Sequence, residues 1–440
     1  MKNPIRLGLF SVSSPLEVGA GDAQGLQVRL ETAFQRAGYD GLELLPSPLT
    51  VTDPTAVLKV GEYFYHQRVD AVCAIAASWF EDYLVLDLLE EHAVPVIAWA
   101  RPGMETGSLC GMQQLGFMLK QLGRPFLFIF DDPEASDAIQ RAYTFASAAA
   151  QARRLRRTRI GLLGHRVEGM TETTPHELAL KKTFGPRVVG IDSQIFLERA
   201  AAVPTESARI AWEEVKGQVG QVTAQSEAGV MAMQVYQALK TLAAEQSLSA
   251  MAVGCYPHLM GKVCLPISLL AEQGFPVACE GDVNGALGML ILTSLTGQPV
   301  HNTDLLDPIP ADNAIVFSHC GNGAFSLAAR REAITLGPVR LMNSGVCSLF
   351  PARSGEVTLL NIVPSLEGYR LALIYGQALE TDMVFPGNPL RVQFQSPYPD
   401  ILRWIVEHGL GHHWMGAYGD LRQALIDLAA ILGCPLIHCA

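Results

Sequence analysis

Apolar and polar positions follow two different periods along the first third of the chain. Short apolar runs that end in small or polar residues alternate with longer stretches in which apolar residues recur every three or four positions. The short runs predict strands and the longer stretches predict helices, and this alternation is typical of a doubly wound parallel sheet. The predicted strands are Arg6–Phe10, Gly41–Leu45, Ala71–Ala76, Val94–Ala98 and Phe126–Phe130. The predicted helices span residues 23–37, 54–66, 80–91 and 107–122.

The same alternation begins again near residue 157 and continues to about residue 300. It predicts a second parallel sheet with its own helices. The predicted strands span residues 159–164, 188–191, 250–253 and 275–280. The predicted helices span residues 205–217, 225–246, 260–273 and 286–295.

The composition of the chain changes after about residue 300, where glycine and proline become frequent. Apolar runs at 314–317, 357–363 and 370–375 follow one another without regular helices, and a last helix is predicted at 419–432. This pattern is typical of an antiparallel β domain. The predicted fold class is therefore α/β, with two doubly wound parallel-sheet domains followed by a β-rich C-terminal domain. The predicted domain boundaries are 1–156, 157–300 and 301–440.

The most informative polar segment is Cys279–Leu287, which lies between a predicted strand and a predicted helix. Glu280, Asp282 and Asn284 occupy alternate positions in it. Ligands usually bind at the carboxyl ends of strands in an α/β sheet, so these side chains are candidates for a site. The alternative for Asp282 and Asn284 is that they only cap the following helix. Glu280 is not needed as a cap, and a strand end would not favour it.

Further side chains of types that can bind divalent ions occur in the last third of the sequence. They are Asp304, His319 at a strand end, and the pair His412–His413 between glycines and Trp414. Together with Glu280 they offer the oxygen and nitrogen ligands that suit Mn²⁺, or another divalent cation such as Co²⁺ or Mg²⁺. Taken singly, each has a structural alternative as a core histidine, a turn residue or a helix neighbour.

Composition and charge narrow the classes of partner. The formal net charge is -11, which argues against a nucleic-acid partner, and the basic segment 153–157 is better explained as a helix end. No apolar run is long enough to span a membrane, and Met1–Arg6 leads into a strand without a secretory apolar segment. We therefore expect a cytoplasmic protein. No dinucleotide or triphosphate motif is present, and the cysteines lack paired spacing.

The segment Ala278–Leu287 resembles the metal-site motif of the L-fucose isomerase and L-arabinose isomerase superfamily. Asp304, the strand end 318–321, the 411–413 loop and residues 418–420 agree with that motif in order, so the resemblance covers roughly residues 275–440. It implies a cation held by Glu280, Asp304 and His413, with His319 resembling an extra ligand of the arabinose type. It also implies a homo-oligomer, a trimer or a hexamer. Over the first 270 residues the resemblance is architectural only.

The function that this resemblance implies is aldose–ketose isomerisation of a free sugar through an enediol, with Glu280 and Asp304 as acid–base pair and metal ligands. Two alternatives stay open: a non-catalytic sugar-binding relative, and a metal-dependent lyase or epimerase that acts on a sugar acid. A cationic side chain such as Arg166 would admit an acidic or sulfonated sugar. Candidate contacts to the sugar are Trp79, His165, Arg166, Asp282, Asn284, His412 and Trp414.

Overall fold

A computed structural model describes residues 4–439 of the chain; residue 440 and Met1–Asn3, the first half of the N-terminal segment considered above, lie outside the described residues. The chain divides into two compact units. The first unit combines Met1–Arg154 with Gln423–Gly433, and the second combines Leu155–Arg422 with Cys434–Ala440. The division into three domains stays a prediction.

The first unit is a five-stranded parallel sheet with helices on both faces, as the alternating pattern predicts. The strand order is β2-β1-β3-β4-β5. One face packs against α1 and α5, and the other against α2, α3 and α4. The strands are β1 (Ile5–Val12), β2 (Leu42–Pro46), β3 (Ala71–Ala76), β4 (Val96–Ala100) and β5 (Phe126–Phe130). The helices are α1 (Ala23–Ala37), α2 (Pro54–Gln67), α3 (Tyr83–Glu91), α4 (Ser108–Gln121) and α5 (Ser136–Leu155).

The second unit opens with a four-stranded parallel sheet of order β10-β9-β6-β7. Its strands are β6 (Arg159–Leu163), β7 (Arg187–Ile191), β9 (Ala250–Val253) and β10 (Val277–Ala278), and a short strand β8 (Gln221–Val222) joins another sheet. The helices are α6 (Glu177–Thr183), α7 (Ser193–Ala202), α8 (Thr205–Lys216), α9 (Ser226–Glu245), α10 (Cys264–Glu272) and α11 (Val283–Thr296). The strand predicted over 275–280 is wrong beyond Ala278, because the backbone turns at Glu280.

The rest of the second unit is rich in β structure. Its strands are β11 (His301–Ile309), β12 (Ala314–Ser318), β13 (Thr335–Val339), β14 (Ser344–Leu349), β15 (Gly355–Ser365), β16 (Gly368–Leu379), β17 (Leu390–Gln393), β18 (His413–Tyr418) and β19 (Leu436–His438). A seven-stranded sheet has the order β15-β18-β11-β12-β17-β16-β19, and the pairing of β15 with β16 closes six of these strands into a ring. A smaller sheet has the order β14-β13-β8.

Two features of this region differ from the sequence prediction. The large sheet is mixed rather than antiparallel, because β19 runs parallel to β16. A helix α12 (Tyr398–Glu407) interrupts the strands where no helix was predicted, and the last helix, α13 (Arg422–Leu432), begins later than expected. The coarse prediction of an α/β fold with parallel sheets and a β-rich C-terminal region is confirmed.

Helix α11 places the Cys279–Leu287 segment beside the ring of strands. Its sequence is apolar on all sides, so it is buried throughout its first ten residues. It packs between β6 and β9 of the parallel sheet and β15 and β18 of the ring. Gly288 allows the close approach, since a Cβ there would lie 3.0 Å from the Met415 side chain. The start of α11 is thereby fixed next to the start of β18.

No helix among residues 4–439 combines the length and the apolar character that crossing a bilayer requires.

Candidate active site

Three side chains of types that bind metal ions come together from distant parts of the second unit. Glu280 follows β10, Asp304 lies within β11, and His413 begins β18. The pairing of β11 with β18 sets Asp304 directly opposite His413. The Nε2 atom of His413 lies 3.0 Å from Oε2 of Glu280 and 3.5 Å from Oδ1 of Asp304. The His413 imidazole therefore approaches one carboxylate from each of two other segments.

The Glu280 backbone adopts a left-handed conformation that residues other than glycine rarely adopt. Its φ angle is 63°, and that of Gly281 is 71°. A Cβ on Gly281 would lie 2.6 Å from the carbonyl oxygen of His165 and 2.6 Å from Cα of Arg166, so only glycine fits there. The Val167 amide donates to the Glu280 carbonyl oxygen at 3.1 Å. Strained backbone of this kind persists where the surroundings fix it, typically at functional sites.

Asp282 has two roles at once. Its Oδ1 accepts a hydrogen bond from the Gly285 amide at 2.9 Å, so it caps α11 as its position predicts. Its Oδ2 lies 2.8 Å from Nδ1 of His413, and both side chains are almost fully buried. When His413 is neutral and its Nδ1–H is donated to this carboxylate, Nε2 presents its lone pair towards Glu280 and Asp304. Such a carboxylate–histidine pair orients and strengthens a metal ligand.

The neighbouring His412 has the same arrangement with another carboxylate. Its Nδ1 lies 2.6 Å from Oε1 of Glu172, and its Nε2 lies 3.9 Å from Oε2 of Glu280 and 4.0 Å from Oδ1 of Asp304. Its side chain keeps 36% of its surface exposed, against 4% for His413. His412 therefore lies on the open side of the cluster.

His319 differs from the other two histidines in its hydrogen bonding. Its Nδ1 accepts the backbone N–H of Cys320 at 2.9 Å. A neutral imidazole with an accepting Nδ1 carries its hydrogen on Nε2. The Nε2 atom faces Oδ1 of Asp304 at 4.0 Å. This tautomer suits a hydrogen-bond donor better than a metal ligand.

The electrostatics of the cluster favour positive charge. Burial alone would raise the pKa of the Glu280 carboxyl, but the nearby imidazoles of His412 and His413 outweigh it and hold the pKa well below its usual range. Burial alone would lower the pKa of His413, but hydrogen bonds to Asp282 and Glu280 raise it to about 10. The carboxylates therefore attract positive charge, which protonated imidazoles or a divalent cation supply.

The donor set fits a divalent cation. Among the described residues, two groups have ligand atoms within 4.8 Å of one another: Glu280 with His319 and His413, and Asp304 with His412 and His413. Oδ1 of Asp304 and Nε2 of His319 are buried and have no hydrogen-bond partner. An unpaired buried carboxylate oxygen is costly, and a cation shared with Glu280 and His413 would compensate it. Mixed oxygen and nitrogen ligands suit Mn²⁺ and similar ions.

The structure brings some of the candidate sugar contacts to this site. The loop of His165 and Arg166 packs against the Glu280–Gly281 turn. Asn284 is buried with its amide bonded to Thr173 O and the Tyr369 hydroxyl, which makes it a structural tie in place of a sugar contact. Its position as a sugar-hydroxyl partner is therefore not supported.

The two candidate tryptophans lie in different units. Trp79 belongs to the first unit, where its Nε1 donates to Oε1 of Gln114 at 3.2 Å. Trp414 has no exposed surface and packs inside the ring of strands. Successive residues of a strand face opposite sides, so a His413 that faces the cluster turns Trp414 into the core. A sugar contact by Trp414 is therefore wrong.

Glu172 is a site residue that sequence reasoning missed. It lies in a short 3-10 turn, Thr171–Thr173, after β6. The segment that carries it shows no repeat or motif in the sequence, and 240 positions separate it from its partner His412. Only the weak signal that a loop after a parallel strand can border a pocket pointed to this region.

The known proteins that this chain resembles in sequence share one name, sulfoquinovose isomerase. The chain is 26% identical over 380 residues to the sulfoquinovose isomerase of Alkalicoccus urumqiensis, covering 84% of this chain and 86% of that protein. It is 26% identical over 376 residues to the sulfoquinovose isomerase of Priestia megaterium, covering 83% and 84%. A third, from a Clostridium species, is 27% identical over 351 residues, covering 77% of each chain. No protein-family model matches the chain.

A solved structure also matches. It is a periplasmic solute-binding protein from Actinobacillus succinogenes with bound D-allose, 11% identical, covering 67% of this chain and 93% of that one. Its TM-score is 0.18, which carries no argument about fold or function.

The relatives support a sugar isomerase family for this chain, since the similarity extends over most of both sequences. The protein is an enzyme, an isomerase that interconverts an aldose and a ketose. They do not favour the sugar-binding or lyase alternatives.

Proposed function

We propose that this isomerase depends on a divalent cation of the Mn²⁺ type, held by Glu280, Asp304 and His413. The observation that carries the proposal is the convergence of these three side chains, with Nε2 of His413 3.0 Å and 3.5 Å from the two carboxylates. The buried hydrogen bond from His413 to Asp282 supports it, because it leaves Nε2 as a ligand atom. His319 as a further ligand stays a prediction that its tautomer does not favour.

The cation, when bound, supplies stabilisation of the negative charge that develops on O1 and O2 of the sugar, worth several kcal/mol. The protein's own contribution is the movement of a proton between C2 and C1. A carboxylate of Glu280 or Asp304 removes the C2 proton while the C1–O1 carbonyl pair shifts to O1, which takes up a proton. The same proton returns to C1 as O2 gives up its hydroxyl hydrogen and C2–O2 becomes the carbonyl. No co-reactant is needed.

Glu280 is ionised, which this role requires. The nearby imidazoles of His412 and His413 hold its pKa well below the usual range, so the carboxylate has a free site for a proton and a charge for the cation. Acid–base catalysis by a positioned carboxylate contributes about 10²–10⁴-fold to the rate. Glu280 and Asp304 both approach Nε2 of His413, at 3.0 Å and 3.5 Å, so either is a candidate to take the proton from a sugar carbon bound beside it.

For the substrate we propose an acidic or sulfonated aldose, with sulfoquinovose as the first candidate. The relatives carry that sugar in their names. Arg166 is a cation on the loop that packs against the Glu280 turn, and a guanidinium binds a sulfonate or carboxylate well. A homo-oligomer, trimeric or hexameric, and a cytoplasmic location stay predictions.

Purified protein tests the proposal when it is stripped with EDTA and reloaded with Mn²⁺. We expect ketose formation from sulfoquinovose, followed by NMR, to vanish with EDTA and to return with Mn²⁺. D-Glucose, the matched hexose without the sulfonate, should turn over more slowly. Arg166→Gln should raise KM for sulfoquinovose and leave that for glucose unchanged, with the exposed Arg330→Gln as control. Full activity after EDTA treatment, with no metal detected in the protein, would refute the cation.

A further inference from the structure

Glu172 is a carboxylate that the proposed function leaves without a role. Its Oε1 lies 2.6 Å from Nδ1 of His412, while Nε2 of that imidazole points towards Glu280 and Asp304. We infer that Glu172 is a positioning residue that fixes His412 so that its Nε2 accepts a hydrogen bond from a hydroxyl of the sugar. This inference rests on the proposed function and deepens it.

Buried hydrogen bonds fix the turn that carries Glu172. The Asn284 side chain donates to the Thr173 carbonyl oxygen at 3.2 Å, and the Tyr369 hydroxyl donates to Oδ1 of Asn284 at 3.1 Å. The His176 amide in turn donates to the Tyr369 oxygen at 2.9 Å. Thr173 and Asn284 are almost fully buried. An ordinary surface ion pair contributes little, because two mobile side chains must be ordered to form it. Here the backbone beside Glu172 is already held.

The motif at Glu280, Asp282 and Asn284 explains this arrangement. Glu280 faces the cluster itself, and Asp282 holds His413. Asn284, two positions further on, holds the turn of Glu172. Each of the two adjacent histidines therefore has its own carboxylate at Nδ1, and the same short segment positions both.

The contact of His412 is with the sugar rather than the cation. Its Nε2 is 3.9 Å and 4.0 Å from the carboxylates of Glu280 and Asp304, whereas that of His413 is at 3.0 Å and 3.5 Å. The His412 side chain keeps 36% of its surface exposed and so faces the open side of the cluster. With Nδ1–H donated to Glu172, Nε2 presents a lone pair, which is what a sugar hydroxyl needs as an acceptor.

Four variants test the inference: Glu172→Gln, Glu172→Asp, His412→Gln and the double variant of Glu172→Gln with His412→Gln. The matched control is Glu168→Gln, an exposed glutamate on the same loop. We expect Glu172→Gln to lower kcat/KM about 10–100-fold, as loss of an orienting partner does, and Glu172→Asp to recover part of it. The double variant should be no worse than His412→Gln, because the two residues act as one unit. For Glu172→Gln and His412→Gln, calorimetry should show weaker binding of the sugar alcohol that corresponds to the substrate, and almost unchanged binding of Mn²⁺.

Contrary results are equally specific. Wild-type kcat/KM in Glu172→Gln overturns the inference, and so does a double variant in which the two losses add. A fall in Mn²⁺ affinity as large as that of His413→Gln makes His412 a metal ligand and overturns the sugar contact. Failure of the wild-type protein to bind Mn²⁺ or to form a ketose sinks the proposed function instead, and the unsubstituted protein shows this by itself.

Discussion

The polar side chains at the carboxyl edges of the two parallel sheets have different bonding partners. At the carboxyl edge of the first sheet, Ser108 Oγ donates to the Ala76 carbonyl oxygen at 2.8 Å and accepts from the Arg101 amide at 3.0 Å. Ser78 Oγ donates to the Trp79 carbonyl oxygen at 2.8 Å. These hydroxyls serve the local backbone, and such bonds hold loops in place.

At the carboxyl edge of the second sheet, Glu280 follows β10 with a strained backbone and faces His413 of the seven-stranded sheet. Asp304 of β11 and His319, which follows β12, each keep a buried atom without a partner. Unpaired buried polar atoms are rare and costly, and a ligand bound beside Asp304 and His319 would complete their bonding. The first edge also has such an atom, Oγ of Ser13, so a missing partner alone does not distinguish the edges. The difference lies in convergence: only at the second edge do the described residues bring carboxylates and imidazoles from separate strands together.

The largest expected effect comes from substituting Glu280, at the carboxyl edge of the second parallel sheet. Glu280→Gln keeps the shape of the side chain but removes a charged ligand and a proton acceptor. We expect the rate of ketose formation to fall by about 10³-fold or more, together with Mn²⁺ affinity. The matched substitution at the first edge, Ser78→Ala, should leave kcat near the wild-type value. Activity of Glu280→Gln close to that of wild type would contradict the site.

A smaller effect should separate capping from orientation. Asp282 and Asp53 each cap a helix, and Asp53 accepts hydrogen bonds from the Thr55 and Ala56 amides. Asparagine caps nearly as well as aspartate, so both Asp→Asn variants should keep their stability. Only Asp282→Asn removes the carboxylate from His413, and Mn²⁺ affinity should fall about 10–100-fold in this variant alone. Equal Mn²⁺ affinities of the two variants in calorimetry would reduce Asp282 to a cap.

Glycines of the two units offer a third comparison. Gly281 and Gly38 both have positive φ, but a Cβ on Gly38 would meet only the Arg36 carbonyl oxygen at 4.0 Å, whereas one on Gly281 overlaps the backbone of Arg166 and His165. Gly38→Ala should cost about 1–2 kcal/mol from its conformation alone. Gly281→Ala adds the overlap and should cost about 3 kcal/mol or more, with weaker Mn²⁺ binding because Glu280 moves. Thermal unfolding of both variants measures the difference, and equal losses would contradict the close packing of the turn.

Much of this arrangement follows from sequence, and the rest depends on tertiary structure. The two alternating patterns predict parallel sheets because period and strand length are local properties. Glu280 stands out because a strand end would not favour it, and Asp304 and His413 stand out because they agree in order with the motif that the sequence resembles. The opposite orientation of Trp414 could not be predicted, because it depends on where β18 begins. Glu172 could not be found either, since its contact with His412 joins positions 240 residues apart, and the buried Asn284 and Tyr369 that hold its turn are also distant in sequence.

The smallest expected effect concerns the histidine whose Nδ1 is an acceptor. His413 and His319 both approach Asp304, but Nδ1 of His413 donates to Asp282, whereas Nδ1 of His319 accepts from the Cys320 amide. If this tautomer is kept, Nε2 of His319 carries a hydrogen and contributes little to holding the cation. His319→Gln should therefore lower Mn²⁺ affinity by less than about tenfold, against a larger loss for His413→Gln. The effect of His319→Gln should appear mainly in KM, because a donor to a sugar oxygen is lost. Calorimetry with Mn²⁺ measures both variants, and equal losses of affinity would instead make His319 a full ligand, as the arabinose-type resemblance implies.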